Sequence, residues 1–321
     1  MVDDRCVVAR LHPVALAWAA GFFDGEGSTF VHRSRPSYRR LELSIGQSGP
    51  DGVPEVLLRF QAVVLGMGTI DGPEAERMYF WRARTFVEAQ ATIALLWKEL
   101  GPVKRQQAGI AFRTVGSQYE QGRLRARRPR LRHRPHELHA AAALSQAARQ
   151  EIDRAWAAGF LDGEGHFGLP RSRSRVDLPA WRRIRVSATQ NGSPGQPAVV
   201  LSKLVRILGG KIERHGEPDD HRWVLEGLRG VERVLALVRP WLGTVKQLQA
   251  RGAIDGFAAQ QRIRGDATKC ARGHSYSHVY MSKSGPKRRC KACARLLGRS
   301  SRARQGVKPR KFTNVARRYT F

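Results

Sequence analysis

Cysteine is scarce in this chain. The four present are Cys6, Cys270, Cys290 and Cys293, too few and too uneven for a disulfide framework. Acid is scarce as well: 27 Asp and Glu face 57 Lys and Arg, for a net charge of +30. Beyond Asp266 there is no carboxylate side chain at all. Long apolar runs are missing, and no segment approaches the roughly 20 residues of a membrane span. The opening MVDDRCVVARLHP sets Asp3 and Asp4 where a secretory signal carries Lys or Arg. These shortages argue against a membrane protein and a disulfide-stapled secreted scaffold, and they predict a cytoplasmic location.

An excess of positive charge on a folded surface repels itself and attracts a polyanion. Nucleic acid is the first candidate, because each phosphate neutralised releases counterions. An anionic membrane surface comes second and is disfavoured: no Lys/Arg-rich helix carries a wide apolar face. At 321 residues and 41% hydrophobic composition, the chain can bury one large core or two ordinary ones.

What is present, twice, is one phrase. WAAGFFDGEG begins at Trp18 and WAAGFLDGEG at Trp156. Each is followed by an alternating segment, LELSIGQ (41–47) and RIRVSATQ (183–190). Leu41, Leu43 and Ile45 share one face of the first; Ile184, Val186 and Ala188 share one face of the second. That period of two predicts half-buried strands. The helical segments PEVLLRFQAVVLG and PAVVLSKLVRILGG come next, each stopping at glycine. Strand candidates GTIDG with MYFWRA, and KIER with RWVLEG, follow. Helices TFVEAQATIALLWKEL and VERVLALVRPWL come after them, then the matched VKRQQA (103–108) and VKQLQA (245–250). The expected order is αββαββα, twice, in an α+β fold produced by duplication rather than by a short-period solenoid. The halves fall at 10–120 and 149–264, joined by a basic linker at 121–148. The basic tail at 301–321 is core-poor and expected to be flexible.

Within the phrase, Ala17, Ala20, Gly21 and Asp24 lie three and four residues apart on one helical stripe. Glycine inside a helix costs about 1 kcal/mol, so Gly21 and Gly159 need a packing reason. The expected one is close approach of the two phrase helices to each other. Gly25, Gly27, Gly163 and Gly165 are expected to break the helices. Carboxylates at a helix C-terminus face an unfavourable dipole, which a divalent cation would offset.

With these residues the two phrases resemble the signature of LAGLIDADG homing endonucleases, and the single chain resembles the two-motif, pseudo-dimeric members. The likeness spans about residues 10 to 263. It implies two repeats forming a pseudo-twofold saddle, with the motif helices at the centre. It also implies a site-specific DNA endonuclease that hydrolyses phosphodiester bonds with Mg²⁺. The last acid of each motif, Glu26 and Glu164, would hold the metal. Asp24 and Asp162 would be structural. Lys104 and Lys246 resemble the family's basic residue near the active site, and Gln47 and Gln190 its polar water-organising residue. The implied partner is double-stranded DNA with an extended asymmetric or near-palindromic site, bound by a monomer. An RNA maturase acting on intron RNA is one alternative, and a non-cleaving DNA-binding regulator the other.

If the apolar strand residues face the core, Arg40, Glu42, Ser44, Arg183, Arg185 and Ser187 face outward, where such side chains can read base edges. His32, Arg33, Lys211 and Arg222 are added to this candidate DNA-binding set. The segment at 265–300 reads C-x3-H-x15-C-x2-C. Cys270, His274, Cys290 and Cys293 make a Cys₃His set suited to a structural, tetrahedral Zn²⁺, with His278 as the alternative histidine. The segment resembles the small zinc-binding modules of some HNH-type nucleases, without a second catalytic pair, and is read as structural and DNA-contacting. Cys6 is expected to be a lone thiol.

Overall fold

The computed structural model describes residues 12–35, 38–125, 144–170, 183–192, 196–217, 219–265, 269–270, 272–282 and 285–304. Cys6, most of the expected linker and the tail beyond residue 304 lie outside the described residues. The chain forms two compact units: Met1–Pro170 with Arg183–Ile254, and Arg171–Arg182 with Asp255–Phe321.

The first unit contains the two repeats up to Ile254, within the last helix of the second. In the first repeat, α1 (Pro13–Glu26) leads into β1 (Gly27–Arg35) and β2 (Tyr38–Ser48). Helix α2 (Glu55–Val63), strands β3 (Thr69–Glu74) and β4 (Met78–Ala83), and helices α3 (Phe86–Leu96) and α4 (Pro102–Arg125) follow. The second repeat runs α5 (Gln146–Glu164), β5 (Gly165–Gly168), β6 (Arg185–Asn191), α6 (Val199–Leu208), β7 (Lys211–Arg214), β8 (Asp220–Glu226), α7 (Leu228–Val238) and α8 (Thr244–Gly265). The fold is α+β and pseudo-twofold, as the duplication implies. Each repeat also carries a fourth helix, opened by the matched VKRQQA and VKQLQA segments.

Both sheets are antiparallel and share one strand order, β1-β2-β4-β3 and β5-β6-β8-β7. The alternation read from sequence fixes the faces. Leu43 pairs with Ala83 and Ile45 with Trp81 on the inner face, and all four are buried. Ala188 with Trp223 and Val186 with Leu225 do the same in the second sheet. Each buried indole finds a carbonyl: Trp81 Nε1 donates to Met67 O at 2.9 Å and Trp223 Nε1 to Gly209 O at 2.7 Å. Thr85 caps α3 by accepting from Glu88 N at 3.2 Å, and Ser145 caps α5 by accepting from Ala148 N at 3.2 Å.

Helices α1 and α5 pack against each other at backbone distance. A Cβ added at Gly21 would lie 1.9 Å from the Trp156 carbonyl oxygen. One added at Gly159 would lie 1.9 Å from the Trp18 carbonyl oxygen. No side chain fits there, which explains glycine in two helix interiors. Every residue from Ala17 to Asp24, and from Ala155 to Asp162, is buried. Each helix packs on the other motif helix and on helices and strands of its own repeat.

The expected helix breaks come later than the sequence suggests. Gly25 lies inside α1, which ends at Glu26, and Gly163 lies inside α5, which ends at Glu164. A Cβ on Gly25 would sit 3.2 Å from Glu164 Cγ, and one on Gly163 would sit 2.7 Å from Glu26 Cγ. These two glycines make room for the opposite glutamate. The turn into each strand is made at Gly27 and Gly165, both in extended backbone.

Gly21→Ala or Gly159→Ala must push two backbones apart, so each should cost more than the ~1–3 kcal/mol of ordinary core overpacking. Gly252→Ala, with nothing within 4 Å of the added Cβ, should be neutral or gain up to ~1 kcal/mol. Thermal unfolding of the three variants measures the contrast. Equal melting temperatures would remove the interface as the reason for the glycines.

Candidate active site and nucleic-acid face

The two motif acids meet at the end of the α1/α5 interface. Glu26 and Glu164 are half-buried, and each lies over the other repeat's motif glycine. Gln190 Nε2 donates to Glu164 Oε1 at 2.8 Å and to Gly25 O at 3.3 Å. Gln47 hydrogen-bonds Glu26. Burial, then the charge of Glu26, pushes the Glu164 carboxyl up to about 7. Burial likewise raises Glu26 above the ordinary carboxylate range. Lys104 Nζ donates to the Gly27 carbonyl, and Lys246 Nζ donates to the Gly165 carbonyl at 2.5 Å. Each lysine feels both glutamates, and burial lowers each below the ordinary lysine value. All six residues singled out from the sequence therefore gather at one place. The donors are carboxylate oxygens, gathered against their mutual repulsion, a set that suits a hard divalent cation such as Mg²⁺.

Two residues before each glutamate, the aspartates make different contacts. Asp24 accepts from Trp156 Nε1 at 2.9 Å and from Gly101 N at 2.9 Å. Asp162 accepts from Trp18 Nε1 at 2.8 Å and from Gly243 N at 2.8 Å. Each indole thus bonds to the other repeat's aspartate. Each aspartate also sits at a helix N-terminus, α4 or α8, where the dipole favours negative charge. Burial raises both carboxyls to about 6, against the pull of these hydrogen bonds. A cation stacks on each indole: the Arg59 guanidinium lies 3.8 Å over Trp18, and Lys203 Nζ lies 3.8 Å over Trp156. Burial depresses Lys203 to about 8. Sequence reasoning missed the tryptophans, Arg59, Lys203, Gly101 and Gly243. A signal for the glycines was present, since LGPVK and LGTVK repeat with glycine two residues before the valine.

Strand pairing sorts the expected recognition residues. His32 pairs with Arg40 and Ser44 with Arg82, so Arg40, Glu42 and Ser44 share the outer face with His32. Arg33 pairs with Arg39 and falls on the opposite face, with Val31 and Leu41, because strand neighbours alternate. Ser44 and Ser187 point outward by register yet are buried. Larger cross-strand neighbours, Arg82 for Ser44 and His166 and Val224 for Ser187, leave each short hydroxyl recessed.

Glu42 is buried too, as the centre of a cation cluster rather than a free acceptor. Arg40 lies 3.3 Å from it, Arg82 and Arg84 each 3.7 Å, and His32 4.0 Å. Arg84 also reaches Asp71 at 2.7 Å and Arg82 reaches Glu74 at 2.8 Å. Sequence reasoning did not find Arg82 or Arg84. In the second sheet, Arg222 and Lys211 pair with Glu213 at 2.5 and 3.3 Å, and the exposed Arg183 pairs with Glu226 at 3.4 Å. Arg185 keeps a buried Nε with no hydrogen-bond partner among the described residues.

The C-terminal unit has its own cluster. Gly273, at φ 77°, donates its N–H to Cys270 O at 2.8 Å, and Cys270 N donates to His274 O at 2.7 Å. This tight turn places Cys270 and His274 side by side. The hairpin of β9 (His278–Ser282) and β10 (Gly285–Arg289) leads to α9 (Lys291–Arg304). Cys290 precedes α9, and Cys293 lies in its first turn. Cys270 Sγ and Cys293 Sγ are 3.7 Å apart, and His274 Nδ1 is 3.4 Å from Cys293 Sγ. All four ligand atoms lie within 4.8 Å of one another. Zinc–sulfur bonds of ~2.3 Å give tetrahedral sulfur separations near 3.8 Å, so the set is able to hold such an ion. His274 supplies the converging nitrogen, whereas the alternative, His278, opens β9.

No protein-family model and no curated protein sequence matches the chain. Solved structures do match its fold. The LAGLIDADG homing endonuclease I-GzeII, in complex with a DNA target, superposes with a TM-score of 0.54 at 14% identity, covering 80% of this chain and 94% of that one. The LAGLIDADG meganuclease I-AabMI, bound to uncleaved DNA, gives 0.55 at 17% identity over 80% and 94%. The meganuclease I-SmaMI, bound to uncleavable DNA, gives 0.50 at 15% identity over 78% and 98%. Among the described residues no helix is long and apolar enough to cross a membrane.

Trp156→Phe removes one N–H from the buried Asp24 carboxylate while preserving most of the ring packing. It should cost ~1–3 kcal/mol, the usual penalty for an unsatisfied buried acceptor. Trp18→Phe should behave alike through Asp162. Denaturant unfolding checks both, and a loss below ~0.5 kcal/mol would show that the crossed bonds contribute little.

Proposed function

We propose that the chain is a site-specific double-strand DNA endonuclease of the LAGLIDADG homing type, with one acid from each repeat in a shared, Mg²⁺-dependent active site. The observation that carries this reading is the meeting of Glu26 and Glu164. Two partly buried carboxylates have been brought together against their own repulsion, and each is oriented by a glutamine and approached by two half-buried lysines. A DNA-binding regulator has no need of that arrangement, so the non-cleaving alternative is disfavoured. The fold shared with DNA-bound endonucleases supports the same reading.

Glu26 and Glu164 would hold the Mg²⁺, which when bound activates water and stabilises the leaving oxygen in phosphodiester hydrolysis. Gln47 and Gln190 keep one carboxylate oxygen of each acid oriented. Lys104 and Lys246 stand where they can stabilise charge building on a scissile phosphate. On the outer faces of the sheets, Arg40, Arg82, Arg84, Arg185 and Arg222 provide guanidinium groups suited to guanine edges and phosphates. His32, Lys211 and Arg183 extend that surface. The Cys₃His set is read as a structural Zn²⁺ site. The bound form would be a monomer on double-stranded DNA, in a cytoplasmic setting. An RNA maturase acting on intron RNA would use the same basic faces, but it does not call for the paired acids.

Glu26→Gln and Glu164→Gln should each abolish double-strand cleavage and leave duplex affinity within about threefold, since neither acid is needed to neutralise phosphate. A plasmid carrying the joined sequence that flanks the gene is the substrate, with Mg²⁺ or Mn²⁺ present. A cut that survives either substitution would sink the shared-acid assignment.

Metal uptake should also depend on pH with a definite sign. The Glu164 carboxyl titrates near 7 without metal, so about half is protonated at pH 7. Divalent binding needs the ionised form. Affinity should therefore rise as pH increases through 7, with release of up to about half a proton at pH 7. Calorimetry in two buffers of different ionisation enthalpy reads this release. Uptake without proton release would contradict it.

A further inference from the structure

We infer that the C-terminal unit is a zinc-ordered grip on the phosphate backbone of duplex DNA, separate from the base-reading sheets. Three observations carry it. First, four ligand atoms, from Cys270, His274, Cys290 and Cys293, converge within 4.8 Å of one another. From residue 269 onward, the buried residues among those described are Cys270 and Cys290, both members of the Cys₃His set. A tetrahedral metal held by these four side chains would tie the turn at Cys270 to the start of α9 and add folding free energy. Second, the elements that the metal joins present cations. Lys269 flanks Cys270, Arg289 and Lys291 flank Cys290, and Arg295 lies one turn into α9; all four are exposed. Third, the stretch of sequence that carries them is free of acid. The sequence holds no Asp or Glu after residue 266, and Zn²⁺ with three thiolates and a neutral imidazole carries a net charge of only −1.

Cations held on a metal-fixed scaffold, in a stretch of sequence without carboxylates, fit a partner whose charge repeats along its length. Duplex DNA carries one phosphate charge per ~1.7 Å of axis. The choice of duplex DNA over another polyanion rests on the endonuclease reading. The grip adds affinity without sequence preference, because phosphate contacts position a protein and base contacts specify its site.

The test uses the full chain in a Glu26→Gln background, so that binding is read without cutting. The probe is a duplex of arbitrary sequence, titrated at several salt concentrations, with metal content measured on the same samples. The parent should contain one zinc per chain. Arg289→Ala with Lys291→Ala and Arg295→Ala should keep that zinc and flatten the slope of log K against log salt by up to ~2.7, at ~0.9 for each phosphate no longer neutralised. Cys290→Ser with Cys293→Ser should lose the zinc and at least as much slope. Absence of zinc from the parent overturns the metal half of the inference. Zinc retained with an unchanged slope in the triple variant overturns the grip. A slope change on a stem-loop RNA but not on duplex DNA overturns the choice of partner. The comparison does not use cleavage, so failure of the endonuclease reading would appear separately, as an uncut plasmid with the slope difference intact.

Discussion

Two polypeptide backbones touch at Gly21 and Gly159, and most of the first unit follows from that contact. Each glycine lies against the other helix at the carbonyl of a tryptophan, where any Cβ would collide. The close approach sets the axis of the pseudo-twofold. Because α1 ends at Glu26 and β1 begins at Gly27, and α5 and β5 repeat this at Glu164 and Gly165, the contact also places both acids. Gly25 and Gly163 extend the same logic by one turn, making room for the opposite glutamate. One constraint thus fixes the core, the acid pair and the starting points of both sheets.

The same interface separates acids whose hydrogen bonds are met within the protein from acids with capacity left over. Asp24 and Glu26 lie two residues apart, and both are withdrawn from water. Asp24 accepts an indole N–H and a backbone N–H at the start of α4, so its charge is compensated within the protein. Glu26 has its glutamine and the fields of two lysines, which leaves lone pairs unused. The second repeat shows the same contrast between Asp162 and Glu164. A buried polar group with unmet capacity is costly unless something else meets it. That difference in satisfaction, rather than burial or sequence position, points to the glutamates as the groups with work left for a ligand.

The repeat, the strand faces and the Cys₃His set were legible because each is written in the order of residues along the chain: a phrase used twice, an alternation of two, a ligand spacing. Leu41, Leu43 and Ile45 alternate, and alternation has one geometric meaning. The glycines were legible as needing a reason, although the reason for Gly25 and Gly163 lies in the other repeat. The crossed Trp–Asp bonds were not legible, since they join residues 132 and 144 positions apart and no local pattern marks a tryptophan as a donor. The surroundings of Glu42 were not legible for a similar reason. Its strand phase gave the outer face, but its partners Arg82 and Arg84 come from β4 and the residue just after it, and only the register brings them opposite. Ser44 and Ser187 show the limit of phase itself: it gives direction, not depth.

Duplication inside one chain permits what a symmetric dimer does not. The contacts that set the axis remain paired: Gly21 with Gly159, Trp18 with Trp156, Asp24 with Asp162, Gln47 with Gln190, Lys104 with Lys246. The outer faces have diverged. The first sheet organises its arginines around one buried carboxylate, Glu42, whereas the second pairs Arg222 and Lys211 with Glu213 and leaves the Arg185 Nε without a partner among the described residues. Ser28 stands where the second repeat has His166. Under the proposed function, both phosphates of a double-strand cut require the same hydrolytic chemistry, which accounts for the same acid in both repeats. No such requirement binds the two recognition faces to each other. Under the proposed function, that pattern of kept centre and drifted surfaces favours an asymmetric DNA site over a palindromic one.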